Sequence, residues 1–178
     1  KLLFMYINKK DYTGESARMG QTAENLFENW LKLNNRKYRK ATLSEQFKHI
    51  DFIVNSDKLK KEIKIDVKAS KKVNRKDEAE NTNFLWVEFK NVQGKNGWLY
   101  GENDFIAFHK MDENCFYLVE TKELANLCEK ICNQGNALCS KDALYHRYTR
   151  NGRKDELSMI YFDDIKKCNY SIIKLGEN

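Results

Sequence analysis

Ile50-Asp51-Phe52-Ile53-Val54 and Ile63-Lys64-Ile65-Asp66-Val67-Lys68 are the two runs on which the reading of this 178-residue chain turns. In the second run Ile63, Ile65 and Val67 fall on one face of a strand, and Lys64, Asp66 and Lys68 fall on the other. Two residues along a strand span about 6.5–7 Å, so Asp66 and Lys68 lean into one space. Asn55-Ser56-Asp57-Lys58 is turn chemistry between strand-like runs, and the whole stretch reads as a hairpin. Pairing its strands brings Asp51 near Asp66. Two carboxylates and one ammonium then converge, and the like charges repel unless a divalent cation sits between them.

Upstream, Gly20-Gln21-Thr22 leads into a predicted helix from Ala23 to about Leu33, with Thr22 as its N-cap. Ala23, Leu26, Phe27, Trp30, Leu31 and Leu33 make one apolar stripe. Glu24 sits at the border of that stripe, about 100° from Ala23, where a carboxylate looks into a cleft rather than bulk water.

Asp51, followed fifteen positions later by Asp66-Val67-Lys68, resembles the motif of the PD-(D/E)XK nuclease superfamily, the fold of many restriction enzymes and Holliday-junction resolvases. The resemblance covers roughly the first 110 residues, and Ile50 stands where the superfamily has its proline. It implies an α/β (α+β) fold: a restriction-endonuclease-like central mixed sheet flanked by helices, here with a C-terminal β-hairpin addition. Gly20 and Glu24 ahead of the hairpin resemble the first motif of resolvase-like members, in which a helical glutamate joins the metal shell. The same residue also suits a helix N-terminal acid favoured by the macrodipole. The resemblance further implies the Val67 carbonyl as a metal ligand.

Length and composition fit one domain, with a nuclease-like core over about 13–134 and a basic hairpin and tail over about 135–178. With 41% hydrophobic and 12% aromatic residues the chain can bury a core. Its net charge of +6 favours a polyanionic partner. From Asp57 to Lys76 nine Lys or Arg face three acids, so much of the surplus flanks the Asp66 strand, although a solvated lysine-rich face would show the same count. Five cysteines and no secretory signal point to free thiols in a reducing cytoplasm, and Leu2–Ile7 is too short to span a membrane. Cys128, Cys132 and Cys139 cluster in sequence. Superfamily members with an iron–sulfur cluster also use a cysteine upstream of the catalytic strands, and this chain has none there. Cys128 and Cys132 equally fit the inner face of a helix.

Residues 1–12 hold a short apolar run that suits an edge strand or packed arm, and 69–83 reads as a long polar loop beside the active strand. Phe84–Lys90 is a strand, with Glu88 either facing the site as an outer acid or pairing with a lysine across the sheet; we expect the lysine pairing. The glycine-rich stretch 91–101 presents Trp98 and Tyr100, as stacking platforms for an unpaired base or as buried anchors. A second hairpin over 104–119 and a helix from Thr121 to about Asn133 follow. Tyr145–Lys154 is basic with interleaved tyrosines and an Asn-Gly turn, and leads into a strand over 156–162, either a ribbon against a nucleic-acid backbone or an exposed hairpin with solvating charge. Asp163-Asp164 caps a short helix, and Tyr170–Leu175 is a last strand.

These features predict a divalent-metal-dependent endonuclease that hydrolyses DNA phosphodiesters, with Glu24, Asp51, Asp66 and Lys68 catalytic. Glu24, Asp51, Asp66 and the Val67 carbonyl would hold the metal. Oxygen donors and the lack of His/Cys zinc spacing favour Mg2+ or Mn2+ over zinc. Lys71, Lys72, Lys95, Trp98, Tyr148, Arg150, Arg153 and Lys154 are the candidate nucleic-acid contacts. A homodimer would allow two symmetric cuts. A catalytically silent nucleic-acid-binding module and an RNA-cleaving nuclease are the alternatives.

Overall fold

In a computed structural model, residues 15–57, 59–72 and 81–176 are described. Helix α1 covers Glu15–Leu33, β1 Tyr38–Lys40, α2 Leu43–Gln46, β2 Phe52–Ser56, β3 Lys61–Lys68 and β4 Phe84–Lys90. Then come β5 Phe105–Lys110, β6 Cys115–Glu120, α3 Thr121–Ile131, β7 Asn136–Ala137, β8 Arg147–Tyr148, β9 Glu156–Tyr161 and β10 Tyr170–Lys174. The fold is mixed α+β, with a six-stranded sheet in the order β1-β2-β3-β5-β6-β10 and a four-stranded sheet in the order β4-β9-β8-β7.

The predicted hairpin is β2 and β3, with Phe52 opposite Ile65 and Ser56 opposite Lys61. Strand β5 lies parallel to β3, which makes the central sheet mixed, and β6 returns antiparallel. The connection from β3 to β5 carries β4 into the second sheet, where β9 pairs with it from Phe84 to Lys90. The C-terminal hairpin is therefore tied into the body through β9, whose residues 157–160 are buried. The basic loop 69–83 falls partly, at 73–80, outside the described residues, as does the apolar run at 1–12.

Period-two alternation sorts the core into two layers. Ile65 and Val67 face α1, where Ala23, Phe27 and Leu31 are buried against Phe52, Ala107 and Phe116. Phe27 anchors this layer, with ring centroids 5.5 Å from Phe52 and 5.3 Å from Phe116. The opposite face sends Ile106, Phe108, Tyr117 and Val119 against Leu85, Val87 and Phe89 of β4, Ile160 of β9 and Leu124 and Cys128 of α3. Asp66 and Lys68 register beside Ile106 and Phe108, so they point toward the layer under the second sheet.

Helix α1 begins about two turns before the predicted start. Thr22 is not its N-cap: it lies inside the helix and its hydroxyl donates to the Arg18 carbonyl at 2.9 Å. The polar, small residues upstream tolerate helix, and the buried stripe C-terminal to them supplies the packing that extends it. Cys128 and Cys132 lie on the inner side of α3 and its C-cap, and Cys139 is exposed. All five cysteines are free thiols. No helix among the described residues is long and apolar enough to cross a membrane.

Candidate active site

The hairpin register places the Asp51 backbone directly beside the Asp66 strand. Asp51 N–H donates to the Ile65 carbonyl at 2.8 Å, and the Val67 N–H donates to Asp51 Oδ2 at 2.7 Å. The two carboxyl groups are close enough for the Asp66 charge to act on Asp51. Lys68 folds back along the strand until its Nζ lies 2.7 Å from Oδ1 and 2.7 Å from Oδ2 of Asp66. Only Oδ1 receives that ammonium with proper hydrogen-bond geometry. Asp66 Oδ2 is buried and has no hydrogen-bond partner.

Such crowding is costly in charge. Burial pushes the Asp51 carboxyl up to about 7, and the neighbouring Asp66 charge adds to the rise. Asp66, with 2% of its surface exposed, is also raised, chiefly by burial and against the pull of Lys68. Glu24 is raised to about 7 by burial and then by Asp51. Its place in the middle of α1 removes the helix-terminus explanation for this acid, because the dipole acts only within the first turn. His49, two residues before Asp51, is held near 4 by burial and by Lys68, so its ring is neutral at pH 7.

Glu88 is the residue that sequence reasoning placed wrongly. It does not pair with a lysine across the sheet: Lys90 takes Glu156 at 2.9 Å, whereas Glu88 turns inward. Its carboxylate accepts the Trp98 N–H and faces the charges of Lys71, Lys68 and Arg150, while burial raises its pKa. Gly97 makes this possible, since a Cβ there would stand 2.2 Å from the Glu88 carbonyl oxygen and 2.7 Å from its Cγ. The signal in the sequence was the glycine nine residues on, which is legible only once the loop's return to β4 is known.

The candidate nucleic-acid contacts divide. Trp98 is buried at 6% exposure, edge-on to Phe108, with Lys68 Nζ 5.8 Å from its ring centroid. It anchors the loop and is closed to a base, because the apolar core under the second sheet claims its ring. Lys71 is exposed near Lys68, Glu88 and Asp66. Lys72 lends its carbonyl to Trp86 Nε1 at 3.3 Å. Lys95 and Lys154 are exposed in adjoining turns, and Arg153 is half-buried beside them. Tyr148 leans on Trp86 at 6.1 Å, and Arg150 is bound to the buried Asp155 at 2.6 Å.

Asp66 is buried, Asp51 and Glu24 are half-buried, and together they bring hard carboxylate oxygens to one corner. Oxygen donors of this kind suit a small oxygen-seeking dication, which would offset the burial and the mutual repulsion that raise the three groups. Among the described residues no three His, Cys, Asp or Glu side chains close into a finished cage. Instead Lys68 supplies the countercharge to Asp66.

No family model matches the chain, and no curated protein matches it. Among solved structures, a bacterial homing endonuclease is similar over 64% of this chain and 74% of that one, at 16% identity and a TM-score of 0.41. That likeness is too loose to bear on this chain's chemistry.

Proposed function

We propose that this protein is a divalent-metal-dependent endonuclease that hydrolyses DNA phosphodiesters. One observation carries the reading: Asp51 and Asp66, neighbours across a hairpin, share a buried corner with Lys68 while Asp66 Oδ2 goes unsatisfied. Asp66 Oδ2 meets the Lys68 ammonium at 2.7 Å but takes no hydrogen bond, so a buried oxygen is only partly satisfied, an arrangement that a purely structural ion pair does not need. Bound Mg2+ or Mn2+ would supply a nucleophilic water at neutral pH and neutralise charge on the phosphoryl oxygens. Asp51, Asp66, Glu24 and the Val67 carbonyl would hold it.

The chain's own groups do the rest. The Val67 N–H fixes the Asp51 carboxylate in place, so its free oxygen keeps one direction. Lys68, half-buried and compact in charge, is positioned to stabilise negative charge building on the phosphate once Asp66 has another partner. Buried Trp98, and Glu88 of the second sheet's first strand, lie beside Lys68 on one side, and the lower polarity there strengthens its interactions. Lys71 and the exposed Lys95 and Lys154 extend positive charge outward for flanking phosphates.

The test is incubation with duplex, single-stranded, flap and four-way DNA, and with a matched RNA, in Mg2+ or in chelator. Metal-dependent DNA cuts are expected. Binding without cutting would identify a nucleic-acid-binding module instead, and preferential cutting of the RNA would reassign the substrate.

A further inference from the structure

The turn that delivers Asp51 is held from outside its own hairpin. His49 adopts a left-handed backbone, with φ of 60°, which is uncommon for a non-glycine residue. The Asn103 side-chain amide donates to the His49 carbonyl at 2.7 Å. Asn103 is itself buried, at 6% exposure, and its carbonyl oxygen accepts the hydroxyl of buried Thr121, the first residue of α3. Gly101 has no room for a side chain: a Cβ there would lie 2.5 Å from Asn103 Nδ2 and 2.8 Å from His49 Cβ. One residue on, Glu102 N–H donates to the Lys48 carbonyl at 2.9 Å.

The same segment also grips the strand that carries Asp66. Asp104 N–H donates to the Lys64 carbonyl at 2.8 Å, and Asp104 Oδ2 accepts the Lys64 N–H at 2.8 Å. Residues 101–104 thus brace the approach to both carboxylates from one side. Backbone bonds from Ile65 and Ala41 set the height of Asp51 in the sheet. They leave the direction from which the chain arrives to the His49 turn.

We propose that Asn103 is a positioning residue for Asp51: by holding the His49 carbonyl it sets where the Asp51 carboxylate meets Asp66. This rests on Asp51 being a cation ligand. Groups bonded directly to a metal ligand fix its direction, and losing one typically costs about 10–100-fold in affinity; Asn103 acts through the backbone two residues away, so its loss falls at the low end.

The experiment measures Mn2+ binding by calorimetry, without DNA, beside Mg2+-dependent nicking of a plasmid. Asn103→Ala should raise the Mn2+ Kd about tenfold. Thr121→Val, which frees the Asn103 amide to turn, should raise it by a smaller factor. Thr121→Ser keeps the hydroxyl and should restore wild-type binding. Tyr145→Phe loses a 2.7 Å bond to Asp164 in the other layer, so it should lower stability and leave the Kd unmoved. Should Asn103→Ala fail to fold, the Thr121→Val and Thr121→Ser pair decides. Wild-type Kd values in Asn103→Ala and Thr121→Val would overturn the positioning role alone. A wild-type protein that binds no Mn2+ would remove Asp51 as a ligand, and the reading above with it.

Discussion

The corner at β2 and β3 and the region around β8 and β9 both keep charged groups out of water, and they do so in opposite ways. Around β9 the charges are matched. Arg147 meets Glu129 at 2.8 Å and Glu156 at 3.0 Å, with its guanidinium 3.3 Å from the Phe89 ring centroid. Asp155 is fully enclosed and held by the backbone and side chain of Arg150. Asp164 takes Tyr145 and Lys167, each at 2.7 Å. At the hairpin corner three acids share one amine, and one Asp66 oxygen lies 2.7 Å from that amine without a hydrogen bond. The first arrangement holds a structure together. The second crowds like charges in a half-buried place, and that contrast is what supports the proposed role of the corner.

Breaking the contrast by the largest margin takes Asp66→Asn. Nicking of supercoiled plasmid in Mg2+ should fall at least about a thousandfold, because the variant would lose both the proposed ligand and the group that orients Lys68. DNA binding in a gel shift should persist. Full nicking by this variant would put the corner among the merely structural pairs.

Stability should then separate the two regions. Asp155→Asn strips Arg150 of a buried partner and should cost about 3 kcal/mol in urea unfolding. Asp51→Asn should cost nothing at pH 7 and raise the midpoint slightly. An amide can still accept the Val67 N–H, and it removes a charge that burial and Asp66 already disfavour. Equal losses in both variants would erase the distinction.

The pH dependence sharpens the same point. Asp51 and Glu24 titrate near 7 when folded, above the ordinary carboxylate range. Between about 4 and 7 the folded state therefore binds more protons than the unfolded state, so these groups lower stability as pH rises. In metal-free buffer the advantage of Asp51→Asn over wild type should be absent near pH 4 and grow toward pH 7. Added Mn2+ should shrink it, because a bound cation favours the charged carboxylates. Glu28 behaves oppositely: the Lys40 hydrogen bond holds it at about 2, and its contribution is lost only as pH falls toward that value. An advantage that stays flat from pH 4 to 7 would deny the crowding at Asp51.

Alternation and turn chemistry exposed the hairpin in the sequence because β2 and β3 are local to each other. One turn sets their register, and the register alone puts Asp51 beside Asp66. The α1 stripe was legible for the same reason. What could not be read depends on chain returning from far away. Glu88 faces inward because Gly97 lets its loop close against β4, and Trp98 is buried because that loop lands on Phe108. Arg150 looked like a free cation beside a turn until the fold buried Asp155 under it. The brace through Asn103 joins residues 54 apart, with nothing periodic to announce it.

Lys71 and Arg150 carry that lesson into the smallest expected effect. Both are cations near the corner, and both were candidates for phosphate contact. Among the described residues Lys71 makes no ion pair, while Arg150 spends its guanidinium on Asp155. A side chain that meets a phosphate releases counterions, so its removal reduces the slope of log K against log salt by about 0.9. Lys71→Ala should therefore flatten the slope by that amount and leave the unfolding midpoint in place. Arg150→Ala should do the reverse, lowering the midpoint and sparing the slope, because its charge already has a partner inside the protein. Salt titrations of DNA binding for the two variants decide it, and identical slopes for both would mean that burial of Asp155 does not withdraw Arg150 from the surface field.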